Sequence, residues 1–111
     1  MSKKNGIKIR ETKGNIFAEL GLADAEELHA KSALVFRISE IIKKRKLTQA
    51  KAASILGIDQ PKVSLLLRGQ LDGFSTDRLF RFLNAFDCDI EIVVKPKARS
   101  AKHAEVRVLA S

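Results

Sequence analysis

The chain has 111 residues, enough for one small domain with extensions and a modest core, and too few for an enzyme with a deep pocket. Its 21 lysines and arginines against 13 acids leave a formal net charge of +8, which implies a polyanionic partner. A single cysteine, Cys88, excludes an intrachain disulfide and suits a reducing compartment.

Residues 1–14 are polar and basic and read as a flexible arm. Ile16, Phe17, Leu20 and Leu22 then form an apolar knot, one helical turn's worth, suited to packing on the domain or on a partner. Asp24 reads as an N-cap, with Glu27 three residues on completing a capping-box-like start. A long helix follows to about Lys46, its buried stripe marked by Leu28, Ala33 or Leu34, Ile38, and Ile41 or Ile42 at three-to-four spacing. Its last turn, Lys43-Lys44-Arg45-Lys46, suits the negative end of the helix dipole. Thr48 caps a helix over 49–56, which Gly57 ends. The next helix begins near Gln60, since Pro61 is tolerated only in a first turn, and closes at Gly69. Ser75 caps another, reaching about Phe86 and burying Leu79, Phe82, Leu83 and Phe86.

The period then changes. Ile90, Ile92 and Val94 alternate with Asp89, Glu91 and Val93, which predicts a strand that Pro96 stops. Residues 97–111 are a basic tail, with 105–109 a candidate for a second short strand. The division expected is therefore an arm over 1–14, a helical domain over 15–86, a strand over 87–96 and the tail. A lone strand with an apolar face invites pairing, so Ile90, Ile92 and Val94 are expected to pair across a two-fold axis and build a homodimer.

Between Gln49 and Arg68 the pattern matches a helix-turn-helix. Two short helices that cross steeply need a small residue at their contact, and Ala53 supplies it. The turn needs a residue that tolerates left-handed φ, and Gly57 supplies that. Ala52, Leu56, Ile58, Val63 and Leu66 fall where apolar pegs must lock the second helix onto the first. Charge is concentrated here too: Lys43, Lys44, Arg45, Lys46, Lys51, Lys62 and Arg68 face one acid, Asp59, whereas Glu19, Asp24, Glu26 and Glu27 lie in a stretch with no base. A duplex is held by phosphate contacts and read by a few side chains at a helix N-terminus. Gln49 is expected to donate to a phosphate and brace Gln60, whose amide can pair with adenine. Pro61 starts the reading helix beside it. Lys62 is placed for guanine or a phosphate, Ser64 for a backbone oxygen, and Leu65 for a thymine methyl. Lys51, Arg68, and Lys43 or Lys44 are expected phosphate clamps. The competing reading is an ordinary helical hairpin with solvated polar residues.

Catalysis finds little support. His29 and His103 lie far apart, and neither a metal-spaced cluster nor a glycine-rich phosphate loop is present, so no catalytic residue, metal or cofactor is expected. No apolar run approaches membrane-spanning length, and Met1 to Arg10 lacks the apolar core of a signal peptide; a cytoplasmic protein without a membrane partner is expected.

The run from Leu47-Thr48-Gln49 through Leu66-Leu67-Arg68-Gly69 resembles the Xre/Cro-like helix-turn-helix family. Gly14 to Leu22, Asp24-Ala25-Glu26-Glu27-Leu28, Gln60 to Ser64, Gly73-Phe74-Ser75 and Asp89-Ile90-Glu91-Ile92 resemble a subgroup, the HigA-type antitoxins. The resemblance implies a mainly α, lambda-repressor-like bundle of about five helices with a C-terminal strand. It also implies a dimeric repressor of its own operon, acting on a palindromic double-stranded site, that neutralises a small ribonuclease toxin. Ile16, Phe17 and Leu20, beside the acidic stretch, are then the candidate toxin surface; the alternative is that they staple the N-terminal turn onto the first long helix. Two positions depart from the family pattern: Leu65 stands where an arginine is frequent, and Asp87 where a glycine is common, which implies an unusual backbone conformation there. A free-standing Xre-type repressor with no toxin, and an antitoxin that has lost DNA binding, remain as alternatives.

Overall fold

Three short polar side chains set where the helices begin. Thr48, Asp59 and Ser75 each sit in extended backbone, and each accepts a hydrogen bond from the amide three residues on, at 3.0, 3.0 and 3.1 Å, satisfying donors that a helix start leaves open. The computed structural model describes residues 6–7, 24–102 and 105–109. In chain order these form β1 (Gly6–Ile7), α1 (Asp24–Lys44), α2 (Gln49–Leu56), α3 (Gln60–Leu67), α4 (Thr76–Ala85) and β2 (Ile92–Val93).

The four helices end alike. Lys46, Gly57, Gly69 and Asp87 take left-handed φ of 55°, 73°, 80° and 67°. In each case the following amide reaches back five residues: Leu47 to Ile42, Ile58 to Ala53, Gln70 to Leu65 and Cys88 to Leu83. These are Schellman closures, which satisfy the last carbonyls and reverse the chain within one residue. They keep the connections short enough for the helices to fold back on one another.

α1 packs mainly on α4, and α2 on α3, with the two pairs meeting over a shared core. Ile38, Val63, Leu66, Leu79 and Phe86 lie at its centre, fully enclosed. Phe74 meets Phe82 edge-on, 6.0 Å between centroids, and the Arg78 guanidinium lies 5.2 and 5.6 Å from their ring centres, a favourable arrangement for the negative ring faces.

Several expectations need correction. Leu28 does not belong to the buried stripe of α1: it is 59% exposed, and Ala30, Leu34, Val35, Ile38 and Ile42 form the stripe instead. Leu28 lies one heptad before Val35 and only about 20° round the helix from it, so its facing is that of the stripe; it sits near the N-terminal end of α1, beyond the buried positions that begin at Ala30. The helical turn expected within 15–22, the fifth of the helices expected, lies outside the described residues, which hold four helices. The arm over 1–14 is not free throughout, because Gly6 and Ile7 pair antiparallel with Val93 and Ile92. The strand within 87–96 is correspondingly short. Ile90 and Ile92 are half-buried against the core as the alternation requires, but Val94 is 43% exposed and lies beyond the ladder. Residues 105–109 form no strand; Val106 and Val108 pack against the core, and the Val106 amide donates to Glu26 Oε1 at 3.0 Å.

Candidate nucleic-acid interface

Burial divides α3 cleanly. Val63 and Leu66 are fully enclosed and Leu67 is half-buried, which fixes the inward side. With 3.6 residues per turn, Pro61, Leu65 and Arg68 then form the outward ridge, Gln60 and Ser64 one flank and Lys62 the other. Gln60, Pro61, Lys62 and Arg68 are exposed, Leu65 is 38% exposed, and Ser64 is intermediate. The side chains named from sequence thus share one solvent-facing surface of one helix.

α2 presents this helix. Ala52, Ala53 and Leu56 are buried, and with no large side chain at 52 or 53 the two helices can approach closely. Ile58 packs against the core from the turn itself. Gln49 stands one turn before the Ala52–Ala53–Leu56 stripe, on the same side of α2, yet is exposed. Lys51 is exposed as well.

The electrostatics are one-sided. Lys43, Lys44, Lys46, Lys51, Lys62 and Arg68 are all exposed, and none is held in an ion pair among the described residues. Asp59, the acid of this segment, is committed to the Lys62 amide. There its charge offsets the positive end of the α3 dipole rather than a neighbouring lysine. That capping role has a local sequence signal, an Asp two residues before a proline at the start of an apolar-periodic run.

Arg45, one of the bases of this segment, is exposed like the others but is also bonded across the fold. Its Nη2 donates to the Phe86 carbonyl at 2.7 Å, across forty-one residues of chain. No local sequence pattern announces so distant a contact. Of the remaining candidates, Ile16, Phe17 and Leu20 lie outside the described residues, as does His103; His29 is exposed on α1. Among the described residues no helix is long and apolar enough to cross a membrane.

Comparison with known proteins agrees with this geometry. Residues 16–95 match the family described as a helix-turn-helix domain. A solved structure described as an XRE-family transcriptional regulator is 46% identical, superposes with a TM-score of 0.76, and is matched over 80% of this chain and 100% of its own. No curated protein matches the chain.

Proposed function

We propose that this chain, which belongs to the XRE family of helix-turn-helix transcriptional regulators, reads its operator with the outward ridge and flanks of α3 and represses its own operon. The observation that carries this is the division of α3 into a buried apolar side and an exposed side of Gln60, Pro61, Lys62, Leu65 and Arg68, with Ser64 half-buried beside them. In the proposed complex α3 lies in the major groove. Gln60 pairs with adenine, braced by Gln49, while Lys62 reaches guanine or a phosphate. Leu65, in the middle of the ridge, meets a thymine methyl. Ser64 bonds a backbone oxygen, and Lys51, Arg68 and the lysines ending α1 neutralise phosphates on either side.

Two such domains make a symmetric reader, and β2 is the proposed contact. One of its edges is taken by β1. The other pairs with a second copy, with the exposed Val93 and Val94 adding apolar surface to Ile90 and Ile92. The operator is then roughly palindromic, with half-site centres about 34 Å apart. Footprinting of the DNA upstream of the coding region tests this directly: two protected half-sites one helical turn apart are expected, and protection indifferent to sequence would reject the reading.

We further infer that the regulator is the antitoxin of a type II pair. Support comes from the resemblance along residues 14–28 and from the separation of charges along α1. Glu26 and Lys43 are seventeen residues apart, so about 26 Å of helix lies between the acidic stretch and the basic turn. A basic ribonuclease held at one end by Ile16, Phe17 and Leu20 leaves the other end free for DNA. The product of the adjacent reading frame should co-purify with this chain and be released by Phe17→Asp. A neighbour that is no nuclease and does not bind would leave the free-standing repressor.

A further inference from the structure

The turn that ends α1 carries four consecutive bases, and one of them is turned away from its neighbours. All four are exposed, but Arg45 also reaches across to α4. Its Nη2 donates to the Phe86 carbonyl at 2.7 Å, and its guanidinium carbon lies 5.5 Å from the Phe86 ring centre. Phe86 is the C-cap of α4 and is fully buried. Its carbonyl is among those a helix end leaves without an intrahelical partner. A charged donor makes a stronger bond to such a group than a neutral one, and the guanidinium fork donates while its carbon stays within cation–π range of the ring, a combination that a compact ammonium matches less well.

The clamp sits where two chain reversals meet. Arg45 immediately precedes Lys46, with φ of 55°, and Phe86 immediately precedes Asp87, with φ of 67°. Three residues after Arg45, Thr48 caps α2 and sets the start from which Gln49 and Lys51 emerge. Holding Arg45 therefore holds the last turn of α1, the first turn of α2, and the lysines between them, against the rigid end of α4.

We propose that Arg45 is a positioning residue for DNA binding, a role that rests on the DNA-facing assignment of this turn. It contacts no phosphate itself. It orders the turn in advance, so that Lys43, Lys44 and Lys46 do not have to be immobilised at the moment of binding. Lysine at this position keeps the charge but loses the fork.

Operator affinity of the full chain, measured over a range of salt, separates the roles. A phosphate contact contributes about 0.9 to the slope of log affinity against log salt; a positioning residue contributes nothing to it. For Arg45→Gln and Arg45→Lys alike we expect affinity to fall about tenfold with the wild-type slope retained, while Lys44→Ala lowers the slope. A lower slope for Arg45→Gln together with full binding by Arg45→Lys would make Arg45 a phosphate contact and overturn the proposal. Unchanged affinity in both variants, even with a lowered melting temperature, would reduce Arg45 to a structural clamp and overturn it equally. If Arg45→Gln does not fold, Arg45→Lys alone decides. Unchanged slopes for both Lys43→Ala and Lys44→Ala would instead show that the turn does not face DNA, and the role of Arg45 would fall with that assignment.

Discussion

Replacing Asp87 with glycine should stabilise the protein, by an amount that the backbone and the helix end together set. Asp87 holds φ of 67° at the residue that closes α4. For an L-residue this region costs about 1–2 kcal/mol, and aspartate, which tolerates it better than most, sits toward the low end. Glycine avoids that cost but loses more backbone freedom on folding, about 0.5–1 kcal/mol, so the conformational gain is about 0.5 kcal/mol. A second contribution is electrostatic. The Asp87 carboxylate stands at the negative end of the α4 dipole with no described ion pair to hold it, an unfavourable placement of about 0.3–1 kcal/mol. The two sum to about 1 kcal/mol, a rise in melting temperature of roughly 4–8 °C for a domain of this size. Thermal melts of Asp87→Gly, Asp87→Asn and Asp87→Ala at low salt separate the contributions. Asn removes the charge while still tolerating the left-handed region, so it should recover the electrostatic part alone; Ala removes the charge but strains the turn and should fall below both. An Ala variant as stable as the Gly variant would refute the conformational part, and a Gly variant no more stable than the parent would refute the whole reckoning.

Thr76 is fully buried, with no hydrogen-bond partner for its hydroxyl among the described residues; Thr76→Val should be neutral or stabilising by up to about 1 kcal/mol in denaturant unfolding, because it removes a desolvated polar group at equal shape. Phe86→Ala deletes a fully enclosed ring that also carries the Arg45 cation–π contact and should cost about 3–5 kcal/mol, most of the stability of a small domain, visible as loss of the cooperative transition. Thr48→Ala and Asp59→Ala each remove a capping acceptor and should each cost about 1 kcal/mol; because they unsettle the first turns of α2 and α3, they should also weaken operator binding in mobility-shift titrations, which a cap on α4, Ser75→Ala, should affect much less.

Local chemistry made much of this fold readable in advance. Thr48, Gly57, Pro61, Gly69 and Ser75 each act within a few residues of themselves, and each stands where its own conformational preference puts it. The exposed ridge of α3 followed from knowing that Val63 and Leu66 must be buried. What failed was whatever depended on distant partners. Leu28 has the apolarity of a core residue and the facing of Val35, but how far along α1 the core extends is set by the elements packed on it, and Leu28 lies beyond that limit. Arg45 reads as one more base of the turn until Phe86 is brought beside it. Lys46 reads as part of the helix, because nothing in a lysine signals left-handed backbone; the two amides that close α1 impose it. The pairing of Gly6–Ile7 with Ile92–Val93 spans nearly the whole chain and leaves no trace in either segment alone.

Operator binding by Gln60→Ala, compared with Lys51→Ala across a set of sites mutated one base pair at a time, tests most directly whether α3 reads the sequence. Both side chains are exposed, so neither substitution should unfold the domain. Gln60→Ala should cost about 1–3 kcal/mol on the intact operator and abolish discrimination at one base pair in each half-site. Lys51→Ala should weaken every site alike and flatten the salt dependence, leaving the preference among sites intact. Unchanged affinity and unchanged preference for Gln60→Ala would contradict the placement of α3 in the major groove.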